Sequence, residues 1–175
     1  MKGLAITSKG IEDITAIEIK ELIKAKTQVK DSCVIFDIKD YSDLCTLCYK
    51  SQSVNKILFL IDSFKIKDYD DLNIDKITKE HFFGKETFRV SSKVIESKLS
   101  SQEVNKTIGE KIFEKFSKKV DLNDPDITFF VYIFKDQCYI GIDFAGFSLH
   151  KRSYKIFLNR NSIRGTIAYA LLRLA

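Results

Sequence analysis

The last fifth of the chain concentrates positive charge. Between positions 144 and 175 there are six basic residues and no acidic one. These are Lys151, Arg152, Lys155, Arg160, Arg164 and Arg173, interleaved with the rings of Phe147, Tyr154 and Phe157. Cations neutralise phosphates and aromatic rings stack on unpaired bases, so this block predicts a polyanion-binding surface. Its candidate contacts are Lys151, Arg152, Tyr154 and Lys155, and the alternative is a solvated tail.

The rest of the chain is close to neutral. The whole sequence has a net charge of +5, while residues 1–143 hold 23 basic and 24 acidic residues. A second cationic group is nevertheless possible around Arg89 and Lys93 in a predicted strand and Lys106 and Lys111 in the helix that follows. If strand and helix share an edge, the four form one cationic face. A solvated face with lysine stems over apolar surface is the alternative.

Four cysteines could suggest a metal site, because Cys45 and Cys48 form a Cys-x-x-Cys pair. A zinc site needs convergent ligands, and Cys33 and Cys138 show no second paired spacing. Buried free thiols, in the reducing cytoplasm, are the better interpretation. The aspartates between positions 62 and 75 lack the glycine of a calcium loop and indicate a solvated acidic segment.

Several classes of protein are excluded by composition. With 175 residues, 45% of them hydrophobic and 30% charged, the chain is expected to be globular. No Gly-x-Gly occurs and there is one proline, Pro125, so we expect no nucleotide-cofactor site in this chain. No apolar run approaches the roughly 20 residues of a membrane helix, and no signal peptide is recognisable.

The elements that must position these residues follow from periodicity. Strands are predicted over 2–7, 32–38 and 54–61, and helices over 11–22 and 41–50, with a polar, weakly helical stretch over 66–77. This β-α-β-α-β order suggests a ferredoxin-like α+β unit. In the second half, a strand over 86–91 precedes a helix over 101–119, and a hairpin joins 127–134 to 137–144. A final apolar helix is predicted over 163–175.

This arrangement resembles the N-terminal half of the THUMP-containing RNA methyltransferases. The opening ITSKGIEDITAIEIKEL is similar to the family's first strand, Gly-(Ile/Leu)-Glu turn and first helix, and FRVSSK with helix 102–116 resembles the start of the THUMP fold. The sequence DLNDPD before the hairpin resembles the family's (Asn/Asp)-Pro-Asp turn. The most specific stretch is YIGIDFAGFSLHKRSYK, which fits the family at Gly141, Asp143, Gly146, Leu149, His150, Arg152 and Tyr154.

The resemblance implies an α+β fold in three parts. These are an N-terminal ferredoxin-like domain (1–65), a THUMP RNA-binding α/β domain (66–146), and a basic linker with the first helix of a methyltransferase domain (147–175). The implied function is an RNA-recognition module, with tRNA and its acceptor stem and 3′ end as the expected partner and no membrane or DNA partner. The full-length enzyme would use S-adenosylmethionine to methylate guanosine N2, whereas this chain would have no catalytic residues.

Two departures from the family pattern matter. Ser153 stands where the family usually has Gly, so the turn after the basic pair is expected to differ slightly. The methyl-donor loop Asp-Pro-x-x-Gly-x-Gly and the catalytic (Asn/Asp)-Pro-Pro-(aromatic) are both missing. Open alternatives are an rRNA methyltransferase module, a THUMP module of a thiouridine or pseudouridine synthase, and a protein–protein adaptor with a basic docking tail.

Overall fold

The chain folds into two units, seen in a computed structural model that describes residues 1–151 and 162–175. The first comprises Met1–Phe59 and Phe144–Ala175, and the second Leu60–Asp143. The division therefore falls inside a strand, β4 (Val54–Lys65). The described residues contain both strands and helices in each unit, which confirms the mixed α/β class expected from the sequence.

The first unit follows the order strand, helix, strand, strand, helix, strand. The bounds are β1 Lys2–Thr7, α1 Glu12–Ile23, β2 Thr27–Lys30, β3 Cys33–Asp37, α2 Tyr41–Lys50 and β4 Val54–Lys65. β1 is antiparallel to both β3 and β4, and β2 is antiparallel to β3, which gives the order β2-β3-β1-β4. This is the order of a split β-α-β arrangement.

Local chemistry explains where the helices of this unit begin. Asp40 caps α2, since its carboxylate accepts the amide of Ser42 at 2.7 Å. Gly10 adopts φ +93°, a left-handed conformation that glycine tolerates, and turns β1 into α1. Glu12 then accepts the amides of Gly10 (2.8 Å) and Ser32 (2.9 Å), which ties the start of α1 to the β2–β3 turn.

The last helix of the chain, α4 (Gly165–Leu174), belongs to the same unit. Its Ala170 packs against Ile11 and Ile14, which lie at and just after the N-terminus of α1. Arg173 donates to both carboxylate oxygens of Glu21 at 2.7 and 2.9 Å, and this contact lowers the pKa of Glu21. The apolar face noted in the sequence is thus partly packed. Three leucines stay exposed: Leu171, Leu172 and Leu174.

The second unit is organised around β5. The bounds are a 3-10 helix Lys79–Phe82, β5 Thr87–Ile95, α3 Ser101–Phe116, β6 Lys119–Val120, β7 Ile127–Phe134 and β8 Gln137–Asp143. β5 is parallel to β6 and β7, and β7 is antiparallel to β8, in the order β8-β7-β5-β6. Every residue of β7 except Thr128 is buried, as expected for a strand covered on both faces.

An aromatic cluster fills the core of this unit. The ring of Phe82 lies 6.1 Å from Phe88, 5.2 Å from Phe116 and 5.3 Å from Phe129, measured between centroids. Tilted and edge-on ring pairs at these distances add to the stability gained by burial. The ring of Phe82 therefore joins the 3-10 helix to β5, α3 and β7.

The structure differs from the predicted elements at β2, at the ends of β4 and β5, over residues 66–77 and at the end of α3. β2 was not predicted. β4 runs to Lys65, four residues further than expected, and β5 runs to Ile95. The weak helix predicted over 66–77 is wrong: that segment holds turns, with hydrogen bonds Leu72 N–Tyr69 O (3.2 Å) and Ile77 N–Ile74 O (2.9 Å). α3 ends at Phe116, because Ser117 adopts a left-handed conformation (φ 54°).

Candidate RNA interface

The predicted cationic residues of β5 lie on the face of the strand that points away from α3. Phe88 and Val90 line a cavity of about 260 Å³ together with Asn105 and Gly109 of α3. Because side chains alternate along a strand, Arg89 and Lys93 lie on the opposite face. Thr128, the register partner of Arg89 in β7, lies on that face too and accepts a hydrogen bond from Arg89 Nε at 3.1 Å.

The predicted single cationic face is therefore wrong. Lys106 and Lys111 lie on α3, which covers the face of Phe88 and Val90, and the sheet separates them from Arg89 and Lys93. The sequence prediction assumed a shared edge. The alternation of β5 under the helix places the two pairs of cations on opposite sides instead.

Lys111 also has a structural contact. Its ammonium group donates to the carbonyl oxygen of Leu72. One turn further along α3, Lys115 donates to the carbonyls of Ile74 (3.2 Å), Asp75 (3.3 Å) and Ile77 (3.3 Å). These two lysines hold the segment before the 3-10 helix against α3, which is a role other than phosphate contact. Lys106 is exposed beside the cavity.

Lys119 is a cation of this region that the sequence analysis missed. It lies in β6, where it pairs with Thr87 of β5, while its neighbour Val120 lines the cavity with Phe88. Lys119 is therefore on the same face as Arg89 and Lys93, and it is exposed. No feature of the sequence distinguishes this position, because the charge pattern of α3 continues through residue 119.

The loop over residues 121–126 is fixed by its own carboxylates. Asp121 accepts the amides of Asp124 (3.0 Å) and Asn123 (2.9 Å), which lower its pKa. Asp126 accepts the hydroxyl of Thr87 at 2.7 Å and its amide at 3.1 Å, and these two bonds lower the pKa of Asp126. Such Asx turns make a proline-containing loop rigid. The loop thus connects β6 to β7 in a defined conformation.

The C-terminal basic block is described only at its start. Phe144 N donates to Ile57 O at 3.1 Å and Leu149 N to Asn55 O at 2.9 Å, so the segment entering the block is bonded to β4 within the first unit. Lys151 follows and is exposed. The predicted contacts Arg152, Tyr154 and Lys155 lie outside the described residues, and their role in RNA binding stays a prediction.

The cysteines only partly match the expectation of buried thiols. Cys33 and Cys138 are buried, but Cys45 is exposed and Cys48 is half-buried, because α2 buries Leu44 and Leu47 instead. Burial raises the pKa of Cys138 to about 12, with a smaller effect from Asp62. Residues 1–151 and 162–175 contain no cluster of three potential metal ligands. Nor does any helix in these ranges have the length and apolar character to cross a membrane.

Comparison with protein families identifies the second unit. Residues 71–143 match the THUMP domain, a range that contains β5, α3 and the β7–β8 hairpin. This confirms the resemblance found in the sequence.

Relatives extend the similarity beyond that domain. A Synechocystis sp. protein whose name assigns it to the RNA methyltransferases is 28% identical over 98% of this chain and 47% of its own length. A ribosomal RNA large subunit methyltransferase K/L of Photobacterium profundum is 26% identical over 97% of this chain and 25% of its own length. A tRNA (guanine(6)-N2)-methyltransferase of Archaeoglobus fulgidus is 23% identical over 98% of this chain and 46% of its own length. The chain thus spans between about a quarter and a half of these relatives.

The fold has solved counterparts. The structure of a possible methylase from Clostridium difficile superposes with a TM-score of 0.77 at 25% identity, over 99% of this chain and 48% of that one. TrmN from Thermus thermophilus superposes with a TM-score of 0.66 at 21% identity, over 100% and 55%. The chain is thus similar in sequence to part of several proteins named as RNA methyltransferases, and in fold to part of a possible methylase.

Proposed function

We propose that this THUMP-containing chain is the RNA-recognition half of an S-adenosylmethionine-dependent methyltransferase that modifies guanine N2 in tRNA. The observation that carries the proposal is the THUMP domain at residues 71–143, in a chain that aligns over nearly its whole length with RNA methyltransferases. The first unit would be a ferredoxin-like domain that accompanies the THUMP domain. The methyltransferase half would be the part of those relatives that this chain does not span.

One observation favours tRNA over rRNA. The chain contains no tryptophan, whereas a tryptophan-bearing middle segment is a feature we associate with the rRNA enzymes. An rRNA substrate is the second candidate, because relatives of both kinds align with the chain.

The residues of this chain would bind and orient RNA. Exposed cations such as Lys151 and Lys93 can neutralise phosphates, and backbone contacts of this kind position a nucleic acid without reading its sequence. S-adenosylmethionine would supply the methyl group in the full-length enzyme. The residues here do not fit that cofactor, since the glycines with positive φ, Gly10, Gly84 and Gly146, lie in separate turns rather than in one phosphate- or nucleoside-binding loop.

The specificity of RNA binding tests this proposal. Fluorescence anisotropy would compare a tRNA, a large-subunit rRNA hairpin and a DNA duplex of matched length. We expect the tRNA to bind most tightly and the DNA duplex most weakly. Equal affinity for all three would contradict the tRNA assignment, and preference for the hairpin would move the rRNA candidate ahead. Calorimetry with S-adenosylmethionine should show no complex with this chain.

The basic block provides a test against the adaptor alternative. Changing Lys151→Ala together with Arg152→Ala should flatten the salt dependence of tRNA binding by at most about two units of slope. Tyr154→Ala removes a stacking surface and no charge, so affinity should fall with an unchanged slope. If tRNA binding survives the double change with the same slope, the block is a linker or a protein-docking surface.

A further inference from the structure

We propose that the RNA backbone crosses the second unit along a strip formed by Lys119, Arg89 and Lys93, on the face of β5 and β6 opposite α3. This inference rests on the proposed RNA-binding function and names the surface that would carry it out. The strip runs over the sheet edge, on the face opposite α3. It would bind phosphates and leave the bases unread.

Strand register sets the spacing of the strip. Lys119 lies beside Thr87 in the parallel β5–β6 pair, Arg89 follows two residues along β5, and Lys93 follows four residues later. At about 3.3 Å per residue, the three positions span roughly 20 Å in a line. Strand geometry fixes these Cα positions, so the cations are arranged along a path rather than around a point.

Two of the three side chains have no close salt bridge. In the part of the chain that the structure describes, neither Arg89 nor Lys119 forms a salt bridge, although Lys119 is near enough to Asp121 to help lower the pKa of that carboxyl. The bond from Arg89 Nε to Thr128 Oγ1, at 3.1 Å, orients the guanidinium group and uses only one of its five N–H donors. The terminal nitrogens can then form a forked contact with a phosphate. Lys93 is exposed further along the same face.

The buried aromatic residues limit what can bind here. Phe130, Tyr132 and Phe134 of β7 share this face of the sheet, yet they are 6%, 0% and 4% exposed. No ring of β7 can therefore stack on a base, and access is confined to the β5–β6 edge. Asp126 and Asp143 lie toward β7 and β8 on this face, and Asp121 lies near Lys119. Asp126 is occupied by Thr87 and lies 3.9 Å from Lys85, which offsets its charge.

The opposite face is a poorer path for RNA. Lys111 and Lys115 donate to backbone carbonyls, and Lys118 is paired with Glu86 at 2.8 Å. Three exposed acids also lie on α3: Glu103, Glu110 and Glu114. Lys106 is exposed there and carries the same charge as Lys119, which makes it a matched control.

The test compares salt dependence between variants. Lys93→Ala with Lys119→Ala removes two exposed charges, and a thermal melt checks that the protein stays folded. We expect the slope of log K against log salt for tRNA to decrease by roughly 1.4–1.8 units, at 0.7–0.9 per phosphate contact. Lys106→Ala should leave the slope unchanged. Arg89→Lys, which keeps the charge but loses the fork, should weaken binding with little change in slope.

The outcomes separate this inference from the proposed function. If the wild-type chain binds no RNA, the proposed function fails. If the wild type binds and the Lys93/Lys119 variant keeps the same slope, RNA binding stands and the strip is overturned. A slope that falls with Lys106→Ala instead would place the RNA on the α3 face and would equally overturn the strip.

Discussion

Thr87 and Asp126 hold each other through three hydrogen bonds. The hydroxyl and the amide of Thr87 donate to the Asp126 carboxylate at 2.7 and 3.1 Å, and the Asp126 amide donates back to the Thr87 hydroxyl at 2.9 Å. This contact joins the first residue of β5 to the residue before β7. It therefore fixes the start of the parallel strand pair, next to the position of Lys119.

The Thr87–Asp126 contact predicts a pH-dependent contribution to stability. The folded state lowers the Asp126 pKa below its ordinary value of 3.8, so the contribution is present above that value and is lost as the pH falls through the folded pKa. Asp126→Asn should therefore lower the melting temperature at pH 7, and the difference from wild type should shrink in acid. Melts followed by circular dichroism at pH 7 and pH 3 measure this.

Asp124→Asn is the control for that experiment. Its loop position is similar, but its side chain does not bond to Thr87 in the described structure. Its melting temperature should follow that of the wild type at both pH values. An Asp126→Asn variant as stable as the wild type at pH 7 would contradict the assigned contact.

The cysteines should differ sharply in reactivity. Cys45 is exposed and Cys48 half-buried, whereas Cys33 and Cys138 are buried, and the pKa of Cys138 is raised to about 12. Since the thiolate is the reactive form, a thiol reagent should modify Cys45 first and leave Cys33 and Cys138 unmodified until the protein unfolds. Peptide mapping by mass spectrometry identifies the sites. Rapid labelling of Cys138 in the native state would contradict its burial.

The docking of α4 on α1 can be tested by burying a charge. Ala170 is 2% exposed, so Ala170→Asp would place an unpaired carboxylate against Ile11 and Ile14. Amide hydrogen exchange in residues 165–174 should then accelerate. Leu172→Asp, at a position that is 79% exposed, is the control and should change little. Equal protection in both variants would show that this face of α4 is not packed.

Lys111 and Lys115 should stabilise the segment before the 3-10 helix. Lys111→Met with Lys115→Met keeps the apolar stems but removes the donors to the carbonyls of Leu72, Ile74 and Ile77. We expect a loss of about 1 kcal/mol for each lysine in urea unfolding, and faster proteolysis in 66–77. Lys106→Met on the same helix should have neither effect. Resistance of 66–77 to protease in the double variant would contradict this role.

Much of the fold could be predicted because its patterns are local. α2 was predicted with its bounds correct, and the β7–β8 hairpin and the four-residue spacing of Val104, Ile108 and Ile112 were also correct. β2 could not be found this way. Its residues are half-buried or exposed and show no apolar alternation. They form a strand because they pair with β3, and this tertiary contact leaves no pattern in the sequence.

The candidate site was predicted less completely because its arrangement depends on tertiary contacts. Arg89 and Lys93 were identified, but which face they occupy follows from α3 packing on Phe88 and Val90. The 66–77 segment was predicted to be weakly helical because the contacts that shape it come from elsewhere in the chain. Its carbonyls accept hydrogen bonds from Lys111 and Lys115 of α3, which its own sequence cannot reveal. The end of α3 depends on the left-handed Ser117, which moves Lys119 from a helix to a strand.

RNA binding by the unaltered chain tests the central claim most directly. Fluorescence anisotropy with tRNA would be measured from 50 to 200 mM salt, under conditions where a thermal melt shows the chain to be folded. The predicted result is a saturable complex whose log K falls linearly with log salt, as expected when cations replace counterions on phosphates. A folded chain that binds no tRNA at 50 mM salt, or binds it with no dependence on salt, would contradict the account.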